Sequence, residues 1–316
     1  MATKPLYFDC DCGVDDAVAL VYLAKSPEIS LVGVGTVCGN IDSPQAAENS
    51  LRLLGLCGRS DVPVAIGENR FLTRDFTGGP VEIHGTNGIG GVELPAVDKK
   101  PVEKSAAQLL VELANEFPGE LEICAVGPLT NLARAIALDP DLPDKVQQVT
   151  VMGGAFGVPG NVSPVAEANI WNDPEAAQIV VEQPWAISFV GLDVTMRSVL
   201  EESHRQQLLS SARPETRALG EMLDHYFDFY RAEYGRRCSP IHDAAAAVLA
   251  VGAAELMESP RVPIVIDTTD GPGRGQTIAD LRGQRVQRTD RAGAKARPAL
   301  EFDRDIVVQV MARLLP

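Results

Sequence analysis

Aromatic residues fill only 5% of the 316 positions, and the chain holds just four histidines and six cysteines. Cys10, Cys12, Cys38, Cys57, Cys124 and Cys238 are too sparse for a disulfide framework in a chain this long. Most lie in apolar runs, where a free thiol packs as a small hydrophobe, so a reducing, cytoplasmic setting is expected. Met1 to Asp11 has no apolar stretch of the signal-peptide kind. The longest apolar run, Ala244–Ala254, falls far short of the ~20 residues a bilayer span requires and reads as a packed core helix. Positive charge is scarce as well: Lys+Arg number 28 against 43 Asp+Glu, a net charge of −15. Such a chain repels phosphate backbones and anionic lipid, which excludes nucleic acid and membrane surfaces as partners and leaves a small neutral ligand open. Phosphate cradles are missing too. There is no Walker lysine motif, and the stretch Gly33–Asn40 has three residues instead of two between its last glycines, so it fails the dinucleotide fingerprint.

What is present is a globular composition, 45% hydrophobic with mean hydropathy near zero (+0.01). Near-continuous apolar runs at Leu6–Phe8, Ile29–Thr36, Val64–Ile66, Leu121–Val126, Gln148–Met152, Ala186–Val190 and Val262–Ile266 predict strands of a sheet covered on both faces. Between them, helices are predicted at Asp16–Lys25, Ser43–Cys57, Ser105–Glu116, Leu129–Ala137, Pro174–Glu182, Thr216–Tyr234 and Asp243–Glu258. Ser43-Pro44 supplies a cap followed by proline in the first turn. This alternation predicts an α/β fold: an open, mostly parallel, doubly wound Rossmann-like sheet with helices on both faces. No linker or repeat divides the chain, so residues 1–316 are expected to form one domain. The basic stretch Arg282–Arg297 reads as a solvated loop or hairpin.

In such sheets ligands bind beyond the carboxyl ends of the strands, and the residues there are polar. After the first strand comes Asp9-Cys10-Asp11-Cys12-Gly13-Val14-Asp15-Asp16. Helix capping uses one or two carboxylates; four within eight residues, with no basic neighbour, repel one another unless a cation is present. Hard oxygen ligands suit Ca²⁺ or Mg²⁺, although the spacing is not that of an EF-hand loop. Asn40 ends the second run. Val126-Gly127-Pro128-Leu129-Thr130-Asn131 and Val151-Met152-Gly153-Gly154 follow later ones. Asn161, Glu167 and Asn169 offer acceptors and donors suited to hydroxyl groups, and Asn161-Val162-Ser163 is a glycosylation sequon only by chance. Near the end, Pro240-Ile241-His242-Asp243 sets a histidine, able to exchange a proton near neutrality, beside a carboxylate at a helix start.

The ordered set DxDxGxDD, VCGN, VGPLTN, VMGGA, GN-x-SP-x-AE-x-N and PIHDA resembles the inosine–uridine preferring nucleoside hydrolases over essentially the whole chain. The resemblance implies one Ca²⁺ held by Asp11, Asp16, Asp243 and the Val126 carbonyl. It implies a ribose gripped by Asp15, Asn40, Asn161, Glu167 and Asn169 above Met152, with His84 on a pocket loop. It further implies hydrolysis of the N-glycosidic bond, with Asp11 as general base toward water and His242 as acid toward the leaving base, Tyr226 and Tyr230 being candidate relays. A homodimer or homotetramer acting on ribonucleosides is expected. Cys12 stands where the family usually has proline, Asn87 where aspartate is common and Met196 where histidine is frequent. None removes an expected ligand, so these departures bear on base preference, as do the segments Arg70–Pro80 and Leu223–Arg237. Two other readings start from the same residues. A Mg²⁺ phosphatase of the haloacid dehalogenase type would use Asp9 as nucleophile and Asp11 as acid/base; a non-catalytic nucleoside-binding protein would keep the pocket without the chemistry.

Overall fold

The computed structural model describes residues 3–285 and 290–315. Seven strands form the central sheet: β1 (Lys4–Cys10), β2 (Ile29–Thr36), β3 (Val64–Ile66), β4 (Leu121–Ala125), β5 (Val146–Met152), β6 (Ile187–Val190) and β7 (Ala296–Pro298). Their order is β7-β6-β5-β4-β1-β2-β3, and every pairing is parallel. The doubly wound α/β architecture read from the sequence is therefore the observed one.

Strand alternation divides the core into two layers. Leu6, Phe8 and Cys10 face a layer built from α1 (Val14–Ala24), α2 (Ser43–Leu56), α6 (Pro214–Tyr234), α7 (His242–Ala250) and α8 (Ile306–Leu314). Tyr7, Ile123 and Val149 face the other, built from α3 (Ala106–Glu116), α4 (Thr130–Leu138) and α5 (Pro174–Val181). The helices start from local signals. Ser105 caps α3 by accepting from the Gln108 amide while the Gln108 side chain returns to the Ser105 amide, and Asp42 and Asp173 cap α2 and α5 ahead of prolines. The chain winds outward from β1 to β2 and β3, then crosses back to β4 on the other side of β1. This reversal opens a crevice at the carboxyl ends of β1 and β4.

Three expectations are corrected. The run at Val262–Ile266 does not enter the central sheet: Ile264–Ile266 pairs antiparallel with Thr277–Ala279 in a separate hairpin, where Val265 and Ile278 turn to solvent. A three-residue apolar run carries no sign of which partner it takes. The seventh strand is instead Ala296–Pro298, at the end of the stretch read as a basic loop. Within that stretch Arg282 and Arg291 pair with Asp280, and Arg297 donates to Ser188 Oγ; its residues 286–289 lie outside the described residues. Last, the helix expected over Asp243–Glu258 ends at Ala250. Gly252 takes a left-handed φ of +75°, the Ala253 amide returns to the Val248 carbonyl, and Leu256–Glu258 becomes a strand paired with Glu301–Phe302.

Candidate active site

The carboxyl end of β1 turns directly into α1, and its backbone brings the acidic residues together. Gly13 is the N-cap position of α1; its amide donates to Asp16 Oδ2 at 2.7 Å, and the Asp11 amide donates to Asp16 Oδ1 at 3.1 Å. Only glycine fits here, because a Cβ would lie 2.5 Å from both Asn40 Nδ2 and His84 Nδ1. Asn40 is the hub: its amide donates to Asp11 Oδ2 (2.7 Å), and its side-chain nitrogen donates to Asp11 Oδ1 (3.2 Å) and Asp16 Oδ2 (3.0 Å). From the far end of the chain, α7 delivers Asp243. It stands at the first turn of that helix and is buried.

Asp15, Asp16 and Asp243 are buried, and their oxygens lie within 4.8 Å of one another. Burial first, then the Asp16 charge, pushes the Asp15 carboxyl up to about 8. Burial and neighbouring carboxylates also raise Asp11 and Asp243 well above the usual carboxylate range. Asp15 Oδ1 is buried with no hydrogen-bond partner. An unpaired buried carboxylate oxygen beside like charges is costly, and a hard divalent cation relieves both terms at once. The donor set is all oxygen, as Ca²⁺ or Mg²⁺ requires.

A cleft of about 1430 Å³ meets this cluster at Asn40, which lines the cleft and donates to Asp11 and Asp16. Asn40 and Asn169 line it near the carboxylates, Phe229 and Tyr230 of α6 line one wall, and Phe71, Arg74 and Trp171 line another. His242, at the first turn of α7, sits between two hydroxyls, with Nδ1 2.8 Å from Thr195 Oγ1 and Nε2 3.2 Å from Tyr230 Oη. Burial lowers it to about 4, so the ring is neutral at physiological pH.

The model of the inosine-uridine preferring nucleoside hydrolase family matches residues 6–309. The chain belongs to this family. A probable uridine nucleosidase of Arabidopsis thaliana is 37% identical over 281 residues, 89% of this chain and 84% of the relative. An inosine-uridine preferring nucleoside hydrolase of Crithidia fasciculata is 34% identical over 90% of both chains. Among solved structures, a plant nucleoside hydrolase superposes with a TM-score of 0.92 at 34% identity, covering 99% of both chains. A purine-preferring ribonucleoside hydrolase from Gardnerella vaginalis gives 0.91 at 30% identity and 98% coverage of both.

Within this nucleoside hydrolase the residues expected from the sequence do not all meet at one point. Asp11, Asp16, Asp243 and Asn40 converge as described, and the tightest trio takes in Asp15, which had been expected on the ribose. Val126 and Met152 stand together on neighbouring strand ends, joined by Asn169: its Nδ2 donates to the Val126 carbonyl at 2.7 Å and to the Met152 carbonyl at 3.2 Å. A carbonyl has two lone pairs, so this bond leaves the Val126 oxygen able to accept a second partner. Glu167 is buried and committed to backbone, capping its helix at the Asn169 (2.8 Å) and Ile170 (3.2 Å) amides and accepting from Gly154 (3.1 Å). Asn161, by contrast, is exposed at the cleft, with Oδ1 accepting from the Ala168 amide at 3.0 Å.

His84 is fully enclosed. Its Nδ1 accepts the Val14 amide at 3.1 Å, its ring lies 5.3 Å from that of Tyr226, and burial lowers it to about 3. It thus serves the turn into α1 as an acceptor. Residues 223–234, expected in a variable segment, belong to α6. Asp9 faces away from the trio, with Tyr7 Oη at 2.9 Å and Asn131 Nδ2 at 3.1 Å on its carboxylate. Sequence reasoning missed Thr195 and the full role of Asn131, which also donates to the Thr36 carbonyl (2.9 Å) and accepts from the Glu68 amide (2.9 Å). Asn131 was quoted within its motif, but a bond that spans the sheet leaves no local trace.

Proposed function

We propose that this family member hydrolyses the N-glycosidic bond of ribonucleosides, releasing ribose and the free purine or pyrimidine base, with one Ca²⁺ as its resident cofactor. The observation that carries the reading is the buried cluster of crowded carboxylates, joined through Asn40 to a large cleft. Asp11, Asp16, Asp243 and the Val126 carbonyl would hold the ion, with Asp15 adjoining them. Bound there, Ca²⁺ would offset the carboxylate charge and supply the field that acidifies a nearby water. Asp11 accepts the proton of that water, its carboxylate aimed by the Asn40 amide and side chain. As the glycosidic bond breaks, positive charge grows on the ribose ring, and the acidic floor favours it. Asp15, Asn40, Asn161, Glu167 and Asn169 hold the sugar over Met152, with His84 bracing the turn beside it.

The electron pair of the broken bond leaves with the base, which must take up a proton. His242 supplies it from its imidazolium form, the minor one at neutral pH because burial lowers the ring to about 4, and returns to the neutral ring; Thr195 Oγ1 fixes Nδ1 while Tyr230, in contact with Nε2, passes the proton toward the cleft. The relatives' names range from uridine nucleosidase to purine-preferring hydrolase, so both base classes belong in the first substrate panel. Six unpaired cysteines support a reducing, cytoplasmic setting, and a homodimer or homotetramer is the assembly to test by sedimentation.

Asp11→Ala is expected to cut release of base from inosine and uridine by at least about 10³-fold while the melting profile remains cooperative. Near-normal turnover in that folded variant would discard the mechanism. His242→Ala is expected to lose about 10²–10⁴-fold on natural nucleosides but little on p-nitrophenyl riboside, whose leaving group needs no proton. Equal losses on both substrates would remove the acid role.

A further inference from the structure

One arginine makes four of the hydrogen bonds that join the 71–80 wall of the cleft to the rest of the molecule. Arg74 Nε donates to the Asn172 carbonyl at 3.1 Å, and one terminal nitrogen reaches the Trp171 carbonyl (3.1 Å), the Asn172 carbonyl (3.0 Å) and Asn172 Oδ1 (3.3 Å). Its guanidinium also lies over two rings, 4.2 Å from the Trp171 centroid and 5.0 Å from that of Phe71. The acceptors are the last carbonyls of the short helix Ala168–Asn172, the position where a cation satisfies groups the helix itself leaves open. Two neighbours reinforce the joint: the Leu72 amide donates to Asp173 Oδ2 at 2.9 Å and Thr73 Oγ1 to Glu175 Oε2 at 3.1 Å.

What this helix carries gives the joint its meaning. Glu167 is its N-cap and Asn169 lies in its first turn, and the Asn169 side chain spans the Val126 and Met152 carbonyls at the cleft floor. The other end of the 71–80 wall, at Gly78–Pro80, lines the cleft next to Gly39 and Asn40. The wall therefore touches both segments expected to grip a sugar, and Arg74 closes the connection between them. Phe229, Tyr230 and Met196 line another part of the cleft.

We propose that Arg74 is a positioning residue for the sugar half of the ligand: by clamping the 71–80 wall to the Trp171–Asn172 end of the helix, it sets Glu167 and Asn169 for any ribosyl compound, whatever its base. This rests on the reading of the cleft as a ribosyl site. A planar, forked cation is required, because lysine neither stacks on two rings nor forks onto successive carbonyls.

The test measures kcat and KM for inosine, uridine and p-nitrophenyl riboside in wild type, R74A, R74K, W171A and W171F, all saturated with calcium and checked by thermal melting. R74A is expected to raise KM about tenfold, by the same factor for all three substrates, with kcat within about twofold. R74K, which keeps stem and charge and is the gentler variant if R74A does not fold, is expected to show most of that rise. W171F should stay near wild type, and R74A/W171A should be no worse than the poorer single variant, since both break one joint. An unchanged KM, a loss that depends on the base, or full rescue by lysine would each overturn the proposal. Calorimetric titration of D-ribose with calcium chloride separates it from the hydrolase reading. A wild type that cleaves none of the three yet binds ribose more tightly than R74A refutes hydrolysis and sustains the clamp. Equal ribose affinity in wild type and R74A, including none in either, refutes the clamp.

Discussion

Two sets of buried carboxylates lie within a short distance of each other in this chain, and they differ in what surrounds them. Asp173 is enclosed by donors: the Thr130 hydroxyl at 2.6 Å and the Leu72 and Ala176 amides at 2.9 and 3.1 Å. Asp9 is likewise met by Tyr7 and Asn131. Asp15, Asp16 and Asp243 instead crowd one another, and one oxygen of Asp15 meets nothing. Burial is equal in the two sets. The difference lies in the partners, and it teaches that burial of a carboxylate does not itself mark a site. Crowding of carboxylates against one another does, here in spite of the three neutral donors on Asp16.

The comparison can be tested from its satisfied side first. Asp173→Ala strands three donors and removes the cap of α5, so it is expected to cost about 3 kcal/mol. Denaturant melts should give the same loss with calcium and with a chelator; a loss that appears only with calcium would place Asp173 in the wrong set.

His84 extends the comparison to a group whose partner suits one protonation state only. Burial keeps the ring neutral down to about 3, the form in which Nδ1 accepts the Val14 amide, while in the unfolded chain it takes a proton near its ordinary 6.5. Between those values the unfolded state binds more protons, so stability is present above about pH 6.5 and is lost as the pH falls toward 3. At about pH 4.5 the loss amounts to roughly 3 kcal/mol. Melts of His84→Gln, whose amide oxygen can accept from Val14, should show a shallower decline across that range; an equal slope would assign the acid sensitivity elsewhere.

The smallest effect belongs to the unsatisfied set. Asp15→Asn is expected to stabilise the chelator-treated protein by about 1–2 kcal/mol, because the variant no longer has to take up a proton, or bury a charge beside Asp16, on folding. In wild type, calcium at 100 times its Kd should add about 2.7 kcal/mol, and the variant should gain much less. If Asp15→Asn melts lower than wild type in chelator, the trio is not under-compensated and the contrast collapses.

Much of this was legible along the chain. The apolar runs at Ile29–Thr36 and Leu121–Val126 read as buried strands, and the cluster from Asp9 to Asp16 pointed to a cation. The run at Val262–Ile266 misled because the pairing partner of so short a strand is chosen by distant segments. The helix after Asp243 was drawn too long because Ala253 and Ala254 continue its composition beyond the glycine that ends it.

The sequence alone determined the alternation of strand and helix, and with it which residues stand at strand ends, because period and composition act locally. It also determined that acidic groups would be packed too closely to remain without a counter-charge. Only the tertiary structure decided which carboxylates share that burden. It turned Asp9 toward Tyr7 and Asn131, brought Asp243 across more than two hundred residues to Asp16, and laid Arg74 between two rings. Those choices depend on which segments meet in space, and no local pattern along the chain encodes a meeting.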